Sequence, residues 1–216
     1  MAPRPRLLIR RLGLCDYGAV WRAMRAFTDR RDPDTPDELW LLEHPPVFTL
    51  GQAGRAEHLL DPGVTPVLKV DRGGQVTYHG PGQLIAYLML DLRRRGLGVK
   101  GLVALLEGAV IELLAGYGIA ASLMAGAPGV YVDAAKVASL GLRVRRGCSY
   151  HGLALNVDPD LEPFTRINPC GHPGLAVTSL TRLGAAQPFD RVAEDLAANL
   201  AAALGLRPRP AAALRL

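Results

Sequence analysis

Cys170 stands in the hexapeptide Asn168-Pro169-Cys170-Gly171-His172-Pro173. Pro169 fixes one backbone angle, and Gly171 permits a sharp turn that leaves backbone N–H groups open beside the sulfur. Such groups stabilise a thiolate and, later, the oxyanion of a tetrahedral intermediate. The same residues equally fit a small cysteine buried in a tight turn. Lys136 opens a stretch that is otherwise small and apolar, Val137-Ala138-Ser139-Leu140-Gly141. Its amine is either a solvated edge group or a desolvated one. In the second case its pKa falls and it can exchange protons with a thiol near neutral pH.

A second concentration of unusual residues is Asp71-Arg72-Gly73-Gly74-Gln75-Val76-Thr77-Tyr78-His79-Gly80-Pro81-Gly82-Gln83. Four glycines and a proline in so short a span imply backbone held close to a ligand. A phosphate loop is the obvious rival, but the lysine and hydroxyl of a Walker sequence are missing. His79 either positions a substrate or bonds to backbone. Cys148 and His151 lie three apart on an expected strand, which turns them to opposite faces, so Cys148 reads as core filling. Cys148, His151, Cys170 and His172 together could form a zinc site, but their CxxH and CxH spacings are unlike structural zinc pairs, and no metal is expected. Cys15, beside the first helix cap, has no polar partner in sequence and reads as packing.

These groups must be carried by regular elements. Leu7–Arg11 reads as a first strand, and Asp16 caps a helix with apolar residues at Tyr17, Val20, Trp21, Met24 and Phe27. Residues 28–37 read as a polar loop. Leu39–Leu42 and Val47–Leu50 are buried strands split by Pro45-Pro46, and residues 51–66 are irregular. Val67–Val70 and Leu84–Leu92 are strands flanking the glycine-rich loop. Gly101–Tyr117 is a deeply packed helix stopped by glycine. The second half predicts strands at 120–123, 130–132, 136–144 and 149–157, with turns at 126–129 and 145–147. A short helical turn is expected at 163–167, an amphipathic helix at 191–204, and a frayed tail over 206–216. With no repeat and no linker, residues 1–216 predict one α+β domain on a central mixed β-sheet flanked by helices.

Composition narrows the function classes. The chain has 216 residues, nearly half of them hydrophobic, with 25 basic and 20 acidic side chains and a net charge of +5. That excess is too small to imply nucleic acid, and it favours an acidic protein partner only where the basic groups cluster. Three cysteines without a secretory pattern argue against a disulfide framework. The apolar stretch Leu7-Leu8-Ile9 is too short for a signal core, and no run is long enough to span a bilayer, so the expectation is a cytoplasmic protein with no membrane contact.

Three long segments in fixed order resemble one family, the lipoyl (octanoyl) transferases of protein lipoylation. They are Arg72 through Gln83, Lys136-Val137-Ala138-Ser139-Leu140-Gly141-Leu142-Arg143-Val144, and His151-Gly152-Leu153-Ala154-Leu155-Asn156-Val157 through Ile167-Asn168-Pro169-Cys170-Gly171. The match runs from about residue 43 to about residue 183. The resemblance implies a fold similar to the biotin and lipoate protein ligase catalytic domain, and a monomer without cofactors. It implies octanoyl transfer from octanoyl-acyl carrier protein to a lysine of lipoyl domains, those of 2-oxoacid dehydrogenases and the glycine cleavage H protein. Cys170 would carry the acyl group as a thioester, and Lys136 would be the general acid/base. Arg72, Gly73, Gly74, Gln75, Val76, Thr77, Tyr78 and His79, with Ser139, Leu140 and Gly141 and with Gly152, Leu153 and Ala154, would line the acyl pocket.

That chemistry expects the Lys136 amine to be held near a neutral pKa by burial or by a nearby positive charge. Arg143, Arg145 and Arg146 are candidates for docking the carrier. Two rivals remain: an ATP-dependent lipoate or biotin ligase on the same scaffold, and a non-catalytic module that binds acylated proteins. The first leaves the Cys170 motif surplus, and the second leaves a reactive cysteine unexplained.

Overall fold

The computed structural model describes residues 5–212 and 214. In chain order its elements are β1 (Arg6–Leu14), α1 (Tyr17–Arg30), β2 (Asp37–Glu43), β3 (Val47–Leu50), β4 (Val67–Lys69), β5 (Val76–His79) and β6 (Gln83–Met89). They continue with α2 (Val99–Gly116), β7 (Ser122–Met124), β8 (Ala127–Val132), β9 (Ala135–Arg145), β10 (Cys148–Asn156), α3 (Phe189–Ala203) and β11 (Arg207–Pro210). Eight strands form one mixed sheet in the order β11-β1-β2-β6-β10-β9-β8-β7, and β4-β3-β5 form a second. β11, β1 and β2 run parallel, and every pairing from β2 to β7 is antiparallel.

The period of two along each strand decides which helix it meets. In β2, Leu39 and Leu41 join the core beneath α2 and α3, whereas Trp40 and Leu42 face α1. Leu84, Ala86 and Leu88 of β6 take the first face, and Ile85, Tyr87 and Met89 the second. A sheet covered on both sides needs apolar residues at every position, which is why these strands read as unbroken hydrophobic runs. α1 begins where Asp16 accepts from the Ala19 amide at 2.8 Å, the expected cap. Pro45-Pro46 ends the ladder of β2, and the chain enters the second sheet through β3. That small sheet holds β5 and the glycine-rich loop over the face that α1 covers. No helix among the described residues is long and apolar enough to cross a membrane.

The turn before β8 and the C-terminal tail differ from expectation. The turn expected over 126–129 contracts to Ala125-Gly126, and β8 begins at Ala127. The tail expected to fray from 206 instead adds β11 beside β1, with the Arg207 and Ala211 amides donating to Pro5 O and Ile9 O. Pro208 and Pro210 alternate with these donors, and proline is tolerated on an edge strand where its nitrogen faces outward. Residues 213, 215 and 216 lie outside the described set.

Asp37, placed in a polar loop by sequence, opens β2 and is 1 % exposed. Arg31, Arg94 and Arg95 each approach its carboxylate at 2.7 Å, and the Asp91 amide donates at 2.9 Å. Burial opposes the charge, but the Asp91 amide and the arginines prevail and hold its pKa below the ordinary value. Asp37→Asn would leave three guanidinium groups without their anion. It is expected to lower unfolding free energy by about 3–5 kcal/mol, measured by urea denaturation. A depressed carboxyl stabilises above the ordinary value near pH 4 and loses that contribution as pH falls through the depressed one. The difference between wild type and variant should therefore shrink on acidification.

Candidate active site

Lys136 is placed by the tight connection from β8 to β9, where Asp133 and Ala134 both hold positive φ, at 47° and 66°. This hairpin lays Lys136 opposite Tyr131. Its side chain is 1 % exposed. The amine donates to Pro128 O at 3.0 Å and to Cys170 Sγ at 2.9 Å, and it lies 5.1 Å from the centroid of the Tyr131 ring. Room for it depends on Gly129, whose φ is +140°; a Cβ there would sit 2.9 Å from Lys136 Cε and 3.1 Å from Nζ. Glu107 of α2 accepts from the Gly129 amide at 2.9 Å and holds that backbone in place.

Cys170 reaches Lys136 across 34 positions of sequence because the segment after it docks on the start of β9. The Lys136 amide donates to Ala176 O at 2.8 Å, and the Thr178 amide to Lys136 O at 3.0 Å. Cys170 itself adopts φ 57°, ψ 17° in a single helical turn, Pro169–Gly171, and is half-buried.

A cavity of about 330 Å³ opens at Cys170, within the size range of small-ligand sites. Ser139, Leu140 and Gly141 of β9 and Gly152, Leu153 and Ala154 of β10 line it, opposite Arg72, Gly73, Gly74, Gln75, Val76, Thr77 and His79. The Gly73 amide donates to Leu142 O at 2.8 Å, tying the glycine-rich loop to β9 where β8 no longer covers its edge. Arg72 is buried and donates to Thr49 O and Oγ1 and to Gly73 O. Gly141 and Gly152 face each other across the ladder. A Cβ on Gly141 would stand 3.0 Å from Arg72 Cδ, and one on Gly152 would strike Ala86 O. Their missing side chains keep the slot open and the strands in register.

Tyr78 is a correction. Alternation along β5 turns its ring away from the cavity, against Phe48 at 5.4 Å and Phe164 at 5.5 Å. The zinc grouping also fails: Cys148 sits at the far end of β10 opposite Arg145, and no three His, Cys, Asp or Glu side chains among the described residues are gathered to hold a metal. His172 lines the cavity. All three cysteines are free. Of the candidate docking arginines, Arg145 pairs with Asp29 at 3.1 Å and Arg146 donates to Asp29 O at 2.9 Å, stapling the end of α1. Arg143 donates to Gln52 Oε1 at 2.8 Å.

Sequence reasoning missed the inner wall, made by Tyr17, Tyr87 and His151, with His44 behind them. His44 Nε2 meets Tyr87 Oη at 2.8 Å, and Tyr17 stacks on His79 at 5.6 Å. Burial pushes the His44 pKa down to about 4 against the opposing Cys15 carbonyl, and drives His79 well below its usual value. His151 is likewise lowered by burial, although Asp71 approaches it at 3.0 Å. These imidazoles are neutral at pH 7, so the wall presents little charge to a bound chain. In sequence, Tyr17 and Tyr87 are indistinguishable from core aromatics.

The protonation state of Lys136 departs from expectation. Burial alone would lower its pKa, but the charge and hydrogen bond of Cys170 outweigh it, helped by Tyr131, and the amine lies above its ordinary value. It is an ammonium facing sulfur. A thiol–ammonium pair at the mouth of an apolar slot can accept an acyl chain from a thioester and hold it.

Comparison with known proteins agrees with this geometry. Residues 16–201 match the family model described as the lipoyl protein ligase A/B catalytic domain. The octanoyltransferase of Alkalilimnicola ehrlichii is 65 % identical over 196 residues, 91 % of each chain. That of Aromatoleum aromaticum is 63 % identical, covering 90 % of this chain and 84 % of the relative. Among solved structures, a lipoate-protein ligase A bound with ATP superposes with a TM-score of 0.77 at 16 % identity, over 98 % of this chain and 90 % of that one. A biotin protein ligase from Aquifex aeolicus does so with 0.54 at 13 % identity, over 91 % and 68 %. At such identities the structural likeness speaks for the fold alone, which is the mixed-sheet architecture expected from sequence. The sequence matches carry more: the chain belongs to the lipoyl protein ligase A/B catalytic-domain family and, within it, to the octanoyltransferases.

Proposed function

We propose that this chain, acting as one catalytic domain in the cytoplasm, transfers an octanoyl group from octanoyl-acyl carrier protein to a lysine of lipoyl domains through a thioester on Cys170. The observation that carries this reading is the 2.9 Å approach of the Lys136 amine to the Cys170 sulfur at the opening of the cavity. The Lys136 amine is an ammonium at rest, and the form of Cys170 that reacts is the thiolate. The thiolate attacks the carrier thioester carbonyl, a new C–S bond forms to Cys170, and the bond to the carrier sulfur breaks. The departing carrier thiolate takes the Lys136 proton.

The thioester then changes what Lys136 is. Its sulfur partner no longer bears charge, and burial now dominates and favours the neutral amine. Neutral Lys136 takes the proton of the incoming acceptor amine as the amide C–N bond forms. Cys170 leaves as thiolate beside a re-formed ammonium, which restores the reactive pair. One buried amine therefore serves as acid in the first half and base in the second, with its proton affinity set by the state of the sulfur beside it. Because the donor is already a thioester, no nucleotide is required.

The test is the mass of the intact protein after exposure to octanoyl-carrier protein. One octanoyl group should appear, on the peptide containing Cys170, and should disappear when a lipoyl domain is added. An adduct elsewhere would move the nucleophile. Acylation that requires ATP and free octanoate, with pyrophosphate released, would transfer the chain to the ligase reaction.

A further inference from the structure

A residue with a Cβ holds φ near +57° only where its surroundings over-determine it, and Cys170 does so. The side of its loop that faces away from β9 is held by the short turn Ala56–His58 and the residues after it. The Asn168 amide donates to His58 O at 2.8 Å, the Leu60 amide to Arg166 O at 2.9 Å, and Leu59 bridges Ile167. The His58 imidazole meets the same loop. Its Nδ1 lies 3.4 Å from Asn168 Nδ2, and its Nε2 stands 3.4 Å from where a Cβ on Gly171 would lie.

The partners assign the tautomer. An amide nitrogen only donates, so Nδ1 accepts and the proton sits on Nε2. Nε2 is 3.6 Å from Glu57 Oε1, and Arg55 approaches the same carboxylate oxygen at 3.4 Å. Asn168 O accepts from the Gly171 amide at 2.9 Å and closes the turn around Cys170. His58, Asn168 and the Cys170 turn thus form a line of polar contacts. His58 is not among the residues that line the cavity.

We infer that His58 is a positioning residue for acyl transfer: its imidazole holds Asn168 and packs beside Gly171, and with them it holds the left-handed turn that sets the Cys170 sulfur against the Lys136 amine. This rests on the reading that Cys170 carries the acyl group. A side chain needed only for volume would not present an acceptor to Asn168.

The experiment measures alkylation of Cys170 by iodoacetamide against pH, with the site read by peptide mass, alongside the single-turnover acylation rate from octanoyl-carrier protein. The full-length wild type, His58→Ala and His58→Gln are compared. In His58→Ala the alkylation profile should differ from that of the wild type, because the sulfur is no longer held against the Lys136 amine. Acylation should slow about ten- to hundred-fold, the scale of a displacement on the order of 1 Å. The KM for the acceptor domain should not change. His58→Gln, whose amide oxygen can accept from Asn168, should recover most of the rate.

An alkylation profile for His58→Ala that coincides with wild type overturns the inference. So does a slower rate accounted for entirely by a smaller folded fraction in thermal unfolding. If His58→Ala moves the alkylation profile but the wild type is not acylated by the carrier, positioning stands and the proposed reaction falls.

Discussion

Cys170→Ser is expected to abolish the octanoyl adduct and to lower turnover by at least about 10⁴-fold, the order seen when a covalent nucleophile is removed. The reason lies in the pairing at the mouth of the cavity. A serine hydroxyl is not ionised at neutral pH, and it is a weaker nucleophile towards a thioester than a thiolate. The change is small in volume at a half-buried site, so folding should be unaffected. Cys148→Ala serves as the control: that sulfur lies at the opposite end of β10 and the adduct should persist. Intact-protein mass and steady-state turnover decide the matter. A stable ester on the introduced hydroxyl, with turnover retained, would remove the thioester from the scheme.

Lys136→Met should lower turnover by about 10²–10⁴-fold, the usual share of a positioned acid/base group, while leaving the melting temperature level or higher. The two effects have different origins. Methionine is unbranched and of similar reach, so it fills the space above the Tyr131 ring that Gly129 leaves open. Replacing a buried charge by an apolar side chain of like volume is often neutral or stabilising. What is lost is the proton that leaves with the carrier thiol and returns from the acceptor amine. Both half-reactions should slow in single-turnover measurements. A variant slowed only in acceptor transfer would restrict Lys136 to the second half.

Much of the scaffold was legible in sequence because local rules and tertiary packing agreed there. Asp16 capped the first helix, Pro45-Pro46 ended a strand, and the glycine-rich loop lay close to a cavity. The disagreements share a cause. β11 forms because β1 offers an open edge with donors and acceptors in register, which no property of residues 207–210 reveals. Ala127 to Gly129 carry turn residues, yet they extend a strand because β8 pairs there with β7, Ala127 opposite Met124. Tyr78 sits in a loop of site residues, but the pleat of β5 sends it into a separate cluster with Phe48 and Phe164.

The amino-acid sequence by itself determined the fold class and the family, and it singled out Cys170 and Lys136 as the candidate pair. Those follow from periodicity and from long ordered motifs, which are properties of neighbouring residues. Only the tertiary structure decided that Lys136 and Cys170 meet, that the amine is an ammonium at rest, and that tyrosines and neutral histidines form the inner wall. Distance and burial govern each of these. They depend on residues far apart in the chain, such as Gly129, Glu107 and His58, whose types carry no mark of the site they support.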